Sequence, residues 1–352
     1  METVPIVGYS DKLSGRPGDR INFMVSSEHK GDFTAQLFRS VNADPNPKGQ
    51  GIVEYACDDF FPKQSFSSRK QKFEPGSYGI TEQPLKMTVD DNVRFSVVIF
   101  PTLKTSHPQT LIEFGQFCLT LDPEGHVSFT SGSEIVTTVD AISIRCWHRV
   151  EAQISTTGLM SIELINLSNS TNSKSTVIQI DLEPDLNEQA HVIIAAKRVG
   201  GSAKNCFNGK IEHPEICADG QIIAFWDFSE NIPSLAVTGV ECPDLTLVNA
   251  PTRAVTGAMW DASEMNWQHK PQHYAAIAFH EDDIYDFNWD ADFSFVIPSK
   301  MPSGIYIMRI SCEDDYDAIP FFVCPEKGQP SARLCVLVST FTYVIYGNHA
   351  RP

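Results

Sequence analysis

The chain has 352 residues, of which 42% are apolar and 20% charged, so it carries enough material for more than one core and is not disordered throughout. Its 44 acidic against 27 basic residues give a net charge of −17, a field that repels phosphate backbones and anionic lipid and argues against nucleic acid as a partner. Helix formers are sparse, whereas 22 Phe, 22 Pro and 21 Gly accompany many Val, Ile and Thr residues, which predicts short strands joined by turns.

Residues 1–76 open with strand-like segments at 21–25, 33–38 and 51–55, separated by the turn sequences Arg16-Pro17-Gly18-Asp19 and Asp44-Pro45-Asn46-Pro47-Lys48-Gly49. Met1-Glu2-Thr3-Val4-Pro5 has neither the basic nor the apolar region of a secretory leader. A polar, basic stretch over 63–72 reads as a linker into a second strand series. That series runs through 93–100, 110–114, 117–121, 126–129, 147–154, 160–165, 191–196 and 222–228. Leu121-Asp122-Pro123-Glu124-Gly125-His126 and Ser155-Thr156-Thr157-Gly158 form hairpins, and the polar tract 166–175 reads as a surface loop. Short strands at this spacing predict a sandwich over 77–229. Phe207-Asn208-Gly209-Lys210-Ile211-Glu212, with Trp147-His148-Arg149-Val150 and Phe225-Trp226-Asp227-Phe228-Ser229, resembles concanavalin-like and laminin-G-like jelly rolls. Such domains often bind sugars, but Trp147, Phe207 and Trp226 fall where core aromatics are expected.

A third series follows at 245–248, 274–279, 293–297, 304–310 and 318–323, with a turn over 298–304. Neither this series nor the first reaches the seven strands of an immunoglobulin-like sandwich, whereas together they do. The expectation is a discontinuous β-sandwich of residues 1–76 and 230–326, interrupted by the 77–229 jelly roll. From 327 to 352 the character changes. Residues 332–338 are almost continuously apolar, as in a strand buried on both faces of a parallel sheet, and predict the start of an incomplete α/β domain. A parallel strand needs neighbours, so either a longer polypeptide or another chain is expected to complete the sheet. No apolar run reaches the length of a membrane span, and nine scattered cysteines without a C-x-x-C pair suit a reducing cytoplasm.

His269 and His273 have i, i+4 spacing, but Pro271 between them breaks the helix that a metal pair needs. His280-Glu281-Asp282-Asp283, with Asp286, Asp290 and Asp292, reads as a solvated acidic loop rather than a cation site, since it lacks the glycine turn of a calcium loop. Nucleotide, serine-hydrolase and zinc-protease motifs are absent from the sequence. Cys335, inside the apolar run, is expected to pack inertly. That leaves Ser339 and Tyr343, just past the apolar run, where α/β sheets place ligand-contacting groups. Phenolate suits ferric iron, although taken alone Tyr343 reads rather as a core aromatic.

Segments in one order along the chain resemble the large subunits of N,N-dimethylformamidase: Val7-Gly8-Tyr9-Ser10-Asp11-Lys12-Leu13, Arg16-Pro17-Gly18-Asp19, His280-Glu281-Asp282-Asp283, Pro302-Ser303-Gly304-Ile305-Tyr306, Ile319-Pro320-Phe321-Phe322-Val323 and Ser339-Thr340-Phe341-Thr342-Tyr343. The resemblance implies an amidohydrolase that cleaves small N-substituted formamides with metal-activated water. It also implies a mononuclear ferric iron, a small helical partner subunit and further copies of the large subunit. Tyr343 matches an iron-ligating tyrosine and Ser339 a serine beside the metal, with the other ligands expected outside this chain. The competing reading is a non-catalytic, lectin-like binding module or an inactive fragment.

Overall fold

The computed structural model describes residues 5–44, 46–168, 173–180 and 184–342. It is built almost wholly of β-strands, as the composition predicts, and divides into two compact units. The first combines residues 1–73 with 288–352, and the second is the segment between them, 74–287.

In the first unit, strands Ile6–Ser10, Arg20–Ser27 and Phe293–Val296 form one antiparallel sheet. Across the core, Asp315–Val323, Gly304–Cys312, Phe33–Ala43 and Ile52–Ala56 make a larger sheet, edged by Ser14–Gly15, with Gln64–Phe66 also on Phe33–Ala43. Strict alternation over 33–37 turns Phe33, Ala35 and Leu37 inward, the period-two pattern of a half-buried strand. Facing side chains fill the sandwich with aromatics: Phe293 stacks on Phe23 at 5.0 Å and on Phe66 at 4.5 Å, and Phe321 packs edge-on to Phe23 and Phe295. The stretch 63–72 is not a linker. Gln64–Phe66 pairs with Phe33–Ala35, and the Arg69 Nε donates to Asp292 at 2.8 Å, so backbone pairing and a charged bond tie it into this unit.

The second unit has two large antiparallel sheets. One runs in the order Glu134–Thr137, Val127–Ser131, Phe117–Leu121, Gln109–Phe114, Val192–Ile194, Tyr78–Thr81, Leu245–Val248 and Ala236–Val237. The other runs Ser173–Gln179, Leu159–Asn166, His148–Ser155, Asn92–Pro101, Gly209–Ala218, Gln221–Trp226 and Gly239–Val240; Ala276–Phe279 pairs with the first four residues of Gly209–Ala218, and Thr252–Val255 pairs with Ala276–Phe279. Phe95, Phe117, Phe129, Phe207 and Trp226 are buried in one core. The Trp226 indole N–H donates to the Pro243 carbonyl at 3.1 Å, which satisfies its only polar atom. Trp147 is half-buried instead, with the Lys210 ammonium 5.9 Å from its ring.

Three further expectations from the sequence require correction. Residues 230–287 do not belong to the discontinuous sandwich: Leu245–Val248 pairs with Tyr78–Thr81 and Ala276–Phe279 with Gly209–Ala218, and Leu245, Leu247, Ile277 and Phe279 are buried in the second unit's core. The polar tract 166–175 is not all loop, because Ser173–Gln179 extends the second sheet beside Leu159–Asn166. Most plainly, 332–338 forms no strand, and Leu334, Val336 and Leu337 are 89%, 83% and 95% exposed. No strand lies beside this run among the described residues, and without a hydrogen-bonding neighbour a doubly buried strand cannot form. Cys335 is accordingly exposed rather than packed. All nine cysteines are free thiols, as expected from their scatter. Among the described residues no helix is long and apolar enough to cross a membrane.

Candidate functional site

Ser339 lies at the end of the exposed apolar run, where its carbonyl accepts from the Thr342 N–H at 3.0 Å and Val338 accepts from Thr340, the beginning of a helical turn. Phe341 is exposed on that turn. Tyr343 lies outside the described residues. One phenolate and one hydroxyl do not fill the coordination shell of a ferric ion, and among the described residues no cluster of three or more His, Cys, Asp or Glu side chains is placed to hold a metal.

The two histidines weighed in the sequence diverge. His273 is buried on the 3-10 turn Pro271–Tyr274, with Nδ1 3.4 Å from an Asp261 oxygen, whereas the exposed His269 turns to Glu264 at 3.2 Å. Hydrogen bonds from Ser263 hold the Asp261 carboxyl down to about 2. The acidic cluster is occupied by structural bonds. Asp283 accepts from the buried Ser77 hydroxyl at 2.6 Å, and Glu281 pairs with His107 at 3.0 Å. Asp292 accepts from the Val25 N–H at 2.7 Å as well as from Arg69 and Gln71. These carboxylates anchor chain segments, and their lone pairs are committed to that task.

A polar group that the sequence reading passed over stands on strand Gly209–Ala218. The register against Asn92–Pro101 slips between Glu212 and Glu215, a β-bulge, and His213 takes φ +50°, a left-handed conformation uncommon for a residue with a side chain. Pro214 is the local cause, because proline has no N–H to give to the ladder and is tolerated in a sheet at a bulge or edge. The bulge places three charged side chains together. Glu212 is only 1% exposed, with Oε2 accepting from the Ala258 N–H at 2.7 Å and Oε1 3.3 Å from His213 Nε2, an ionic contact without an aligned hydrogen bond. The Lys210 ammonium donates to the carbonyl and hydroxyl of Thr256, at 3.0 and 2.9 Å, and lies over the Phe100 ring. Burial pulls the Lys210 pKa down. His213 stacks on Phe225, with centroids 5.9 Å apart, and the Glu212 carboxylate pushes its pKa up. Glu-His-Pro within a strand is the signal that would have marked the bulge in the sequence; the burial of Glu212 depends on a loop more than forty positions away, and local pattern does not contain it.

The architecture defines a class: a mainly antiparallel, multi-sheet β-sandwich protein in which one unit is assembled from two separated segments of the chain and the other from the segment between them. Sequence comparison narrows it. Residues 252–350 match the family model described as N,N-dimethylformamidase beta subunit-like, C-terminal. The chain is 31% identical over 407 aligned positions to the N,N-dimethylformamidase beta subunit of Paracoccus aminophilus, and 30% identical over 405 to that of an Alcaligenes species. Each alignment covers 99% of this chain and 53% of the relative. By sequence, the chain is similar to the N,N-dimethylformamidase beta subunits, and it spans about half the length of the curated relatives it matches. Among solved structures, a putative carbohydrate binding protein from Bacteroides ovatus is similar at 8% identity and a TM-score of 0.37, covering 68% of this chain and 95% of that one. That likeness is too slight to bear on function.

Proposed function

We propose that this chain is part of the large subunit of an amide hydrolase acting on small N-substituted formamides, with N,N-dimethylformamide as the representative substrate. The observation that carries the reading is the identity of about 30% to two dimethylformamidase beta subunits along 99% of the chain. In that reaction water adds across the amide C–N bond: its oxygen goes to the formyl carbon, giving formate, and a proton goes to the departing dimethylamine. Amide nitrogen is a poor leaving group, so a general acid must supply that proton as the bond breaks.

The two β units described here would serve as framework and assembly surface in this enzyme. A beta subunit is by name one component of a larger enzyme, and the proposed companions are a small helical subunit and further copies of this one. Iron enters the proposal through Tyr343, with Ser339 beside it, and requires ligands additional to those the described residues provide. The test is to produce the large subunit that contains this sequence together with its companion subunit and measure dimethylamine released from N,N-dimethylformamide, alongside iron content. The proposal predicts iron-linked release. An assembled, metal-loaded enzyme that leaves formamides untouched would refute it.

A further inference from the structure

The loop 256–270, on the second unit, joins strand Thr252–Val255 to the 3-10 turn Pro271–Tyr274 and carries three exposed apolar side chains, Met259, Trp260 and Met265. Its first residues are fastened to the bulged strand Gly209–Ala218 by Lys210, which binds Thr256, and by Glu212, which accepts from Ala258. The contact is close: a Cβ at Gly257 would lie 2.9 to 3.1 Å from the Glu212 carboxyl atoms, so the loop backbone seals the carboxylate from water. A carboxylate so enclosed is unfavourable unless its charge is balanced and its lone pairs are used. One oxygen is satisfied by Ala258, while the other faces only the His213 imidazole at 3.3 Å.

We propose that Glu212 and His213 form a proton-operated latch: protonated His213 balances the enclosed Glu212 carboxylate and keeps the 256–270 loop seated, and deprotonation of His213 loosens it. When His213 is neutral, opening the loop hydrates Glu212, so the closed state loses its advantage. The sign follows from the direction in which Glu212 moves the imidazole: its pKa is raised in the folded chain, so the contribution is fully present below the ordinary histidine value and is lost as pH rises through the raised one. The other charges around the pair are Lys210 on the same strand, Arg149 on His148–Ser155 and Asp227 just past Gln221–Trp226. Asp261 of the loop and His273 of the following 3-10 turn face each other at 3.4 Å. Arg149 opposes protonation of His213 and Asp227 favours it, whereas the carboxylate in contact, Glu212, outweighs both.

The measurement is amide hydrogen exchange of the whole chain from about pH 5 to about pH 8.5, with each rate corrected for the intrinsic pH dependence of chemical exchange. The Ala258 amide should lose about fivefold in protection as pH rises, the scale of one partly exposed ion pair, while amides of Ala276–Phe279 and Gly209–Ala218 hold steady. His213→Asn, chosen because asparagine tolerates positive φ, should leave Ala258 weakly protected with no pH dependence. Glu212→Gln, which removes the buried charge, should also flatten the profile and serves as an independent check if the first variant folds poorly. The latch is refuted by a flat wild-type profile, by a pH slope that survives in either variant and so belongs to His273 and Asp261, or by equal loss across the strands, which marks general unfolding.

Discussion

Replacing Phe293 with Ala tests whether the two distant ends of the chain share one core. Phe293 comes from the returning segment, yet its ring stacks on Phe23 and Phe66 and lies within 5.9 Å of Phe61 and 6.3 Å of Phe33, all from the first 73 residues. It is 9% exposed, so truncation removes nearly a full buried ring and leaves a cavity between two sheets that cannot collapse far. Loss of the ring costs about 3 kcal/mol and the broken stacks about 1 kcal/mol more, giving a destabilisation of about 4 kcal/mol. In amide exchange that is a fall of about three decades in protection for Arg20–Ser27 and Asp315–Val323, where exchange proceeds through unfolding of the unit. Phe293→Leu, which retains much of the volume, should recover more than half of the loss. Unchanged protection in those two strands would show that residues 1–73 hold together without the returning segment.

Residues 74–287 expressed alone should unfold in one cooperative transition by calorimetry, and a broad, non-cooperative profile would contradict the assignment of residues 230–287 to that unit. Asp219 accepts from the N–H groups of Asp90, Asp91 and Asn92 at 2.9, 2.8 and 3.0 Å, which draw its pKa below the ordinary carboxylate value. Its contribution to stability should therefore be present above that ordinary value and lost as pH falls through the depressed one, and urea titrations of Asp219→Asn should show a shallower acid limb than wild type. In the proposed enzyme, Tyr343→Phe should weaken a visible tyrosinate-to-iron absorption and lower turnover by orders of magnitude, and retention of iron, colour and rate would return Tyr343 to a packing role.

Much of the strand content was legible because alternation is a local property. Phe117–Leu121 carries the same limits in the structure as in the sequence reading, and Val93, Phe95, Val97 and Ile99 point to one core as their spacing requires. What alternation does not encode is the partner. Leu245 and Leu247 present the same pattern whichever sheet receives them, so the return to the first unit was read near residue 230 although it occurs at 288. The run 332–338 was misread for a related reason: apolarity states that a segment gains by burial, while burial itself depends on strands that must lie alongside. Ser339 and Tyr343 were singled out by their place just past the apolar run and then by resemblance, both of which are properties of sequence rather than of described geometry. Glu212 escaped notice because a lone acid in a strand ordinarily faces solvent, and its enclosure is made by Gly257 and Ala258 far along the chain.

A sheet built from both ends of a polypeptide sets an order of events on the ribosome. Strands Arg20–Ser27 and Phe33–Ala43 emerge first, but Gly304–Cys312 and Phe293–Val296, their hydrogen-bonding neighbours, are made only after residues 74–287 have been translated. At about 5–20 residues per second that interval is roughly 10–40 s, long enough for the intervening unit to fold while Phe23 and Phe33 lack the Phe293 ring that packs against both. Nascent-chain aggregation and chaperone demand should therefore concentrate on the first forty residues, and substitutions that slow folding of the middle segment should lower yield by prolonging the exposure of strands they never touch.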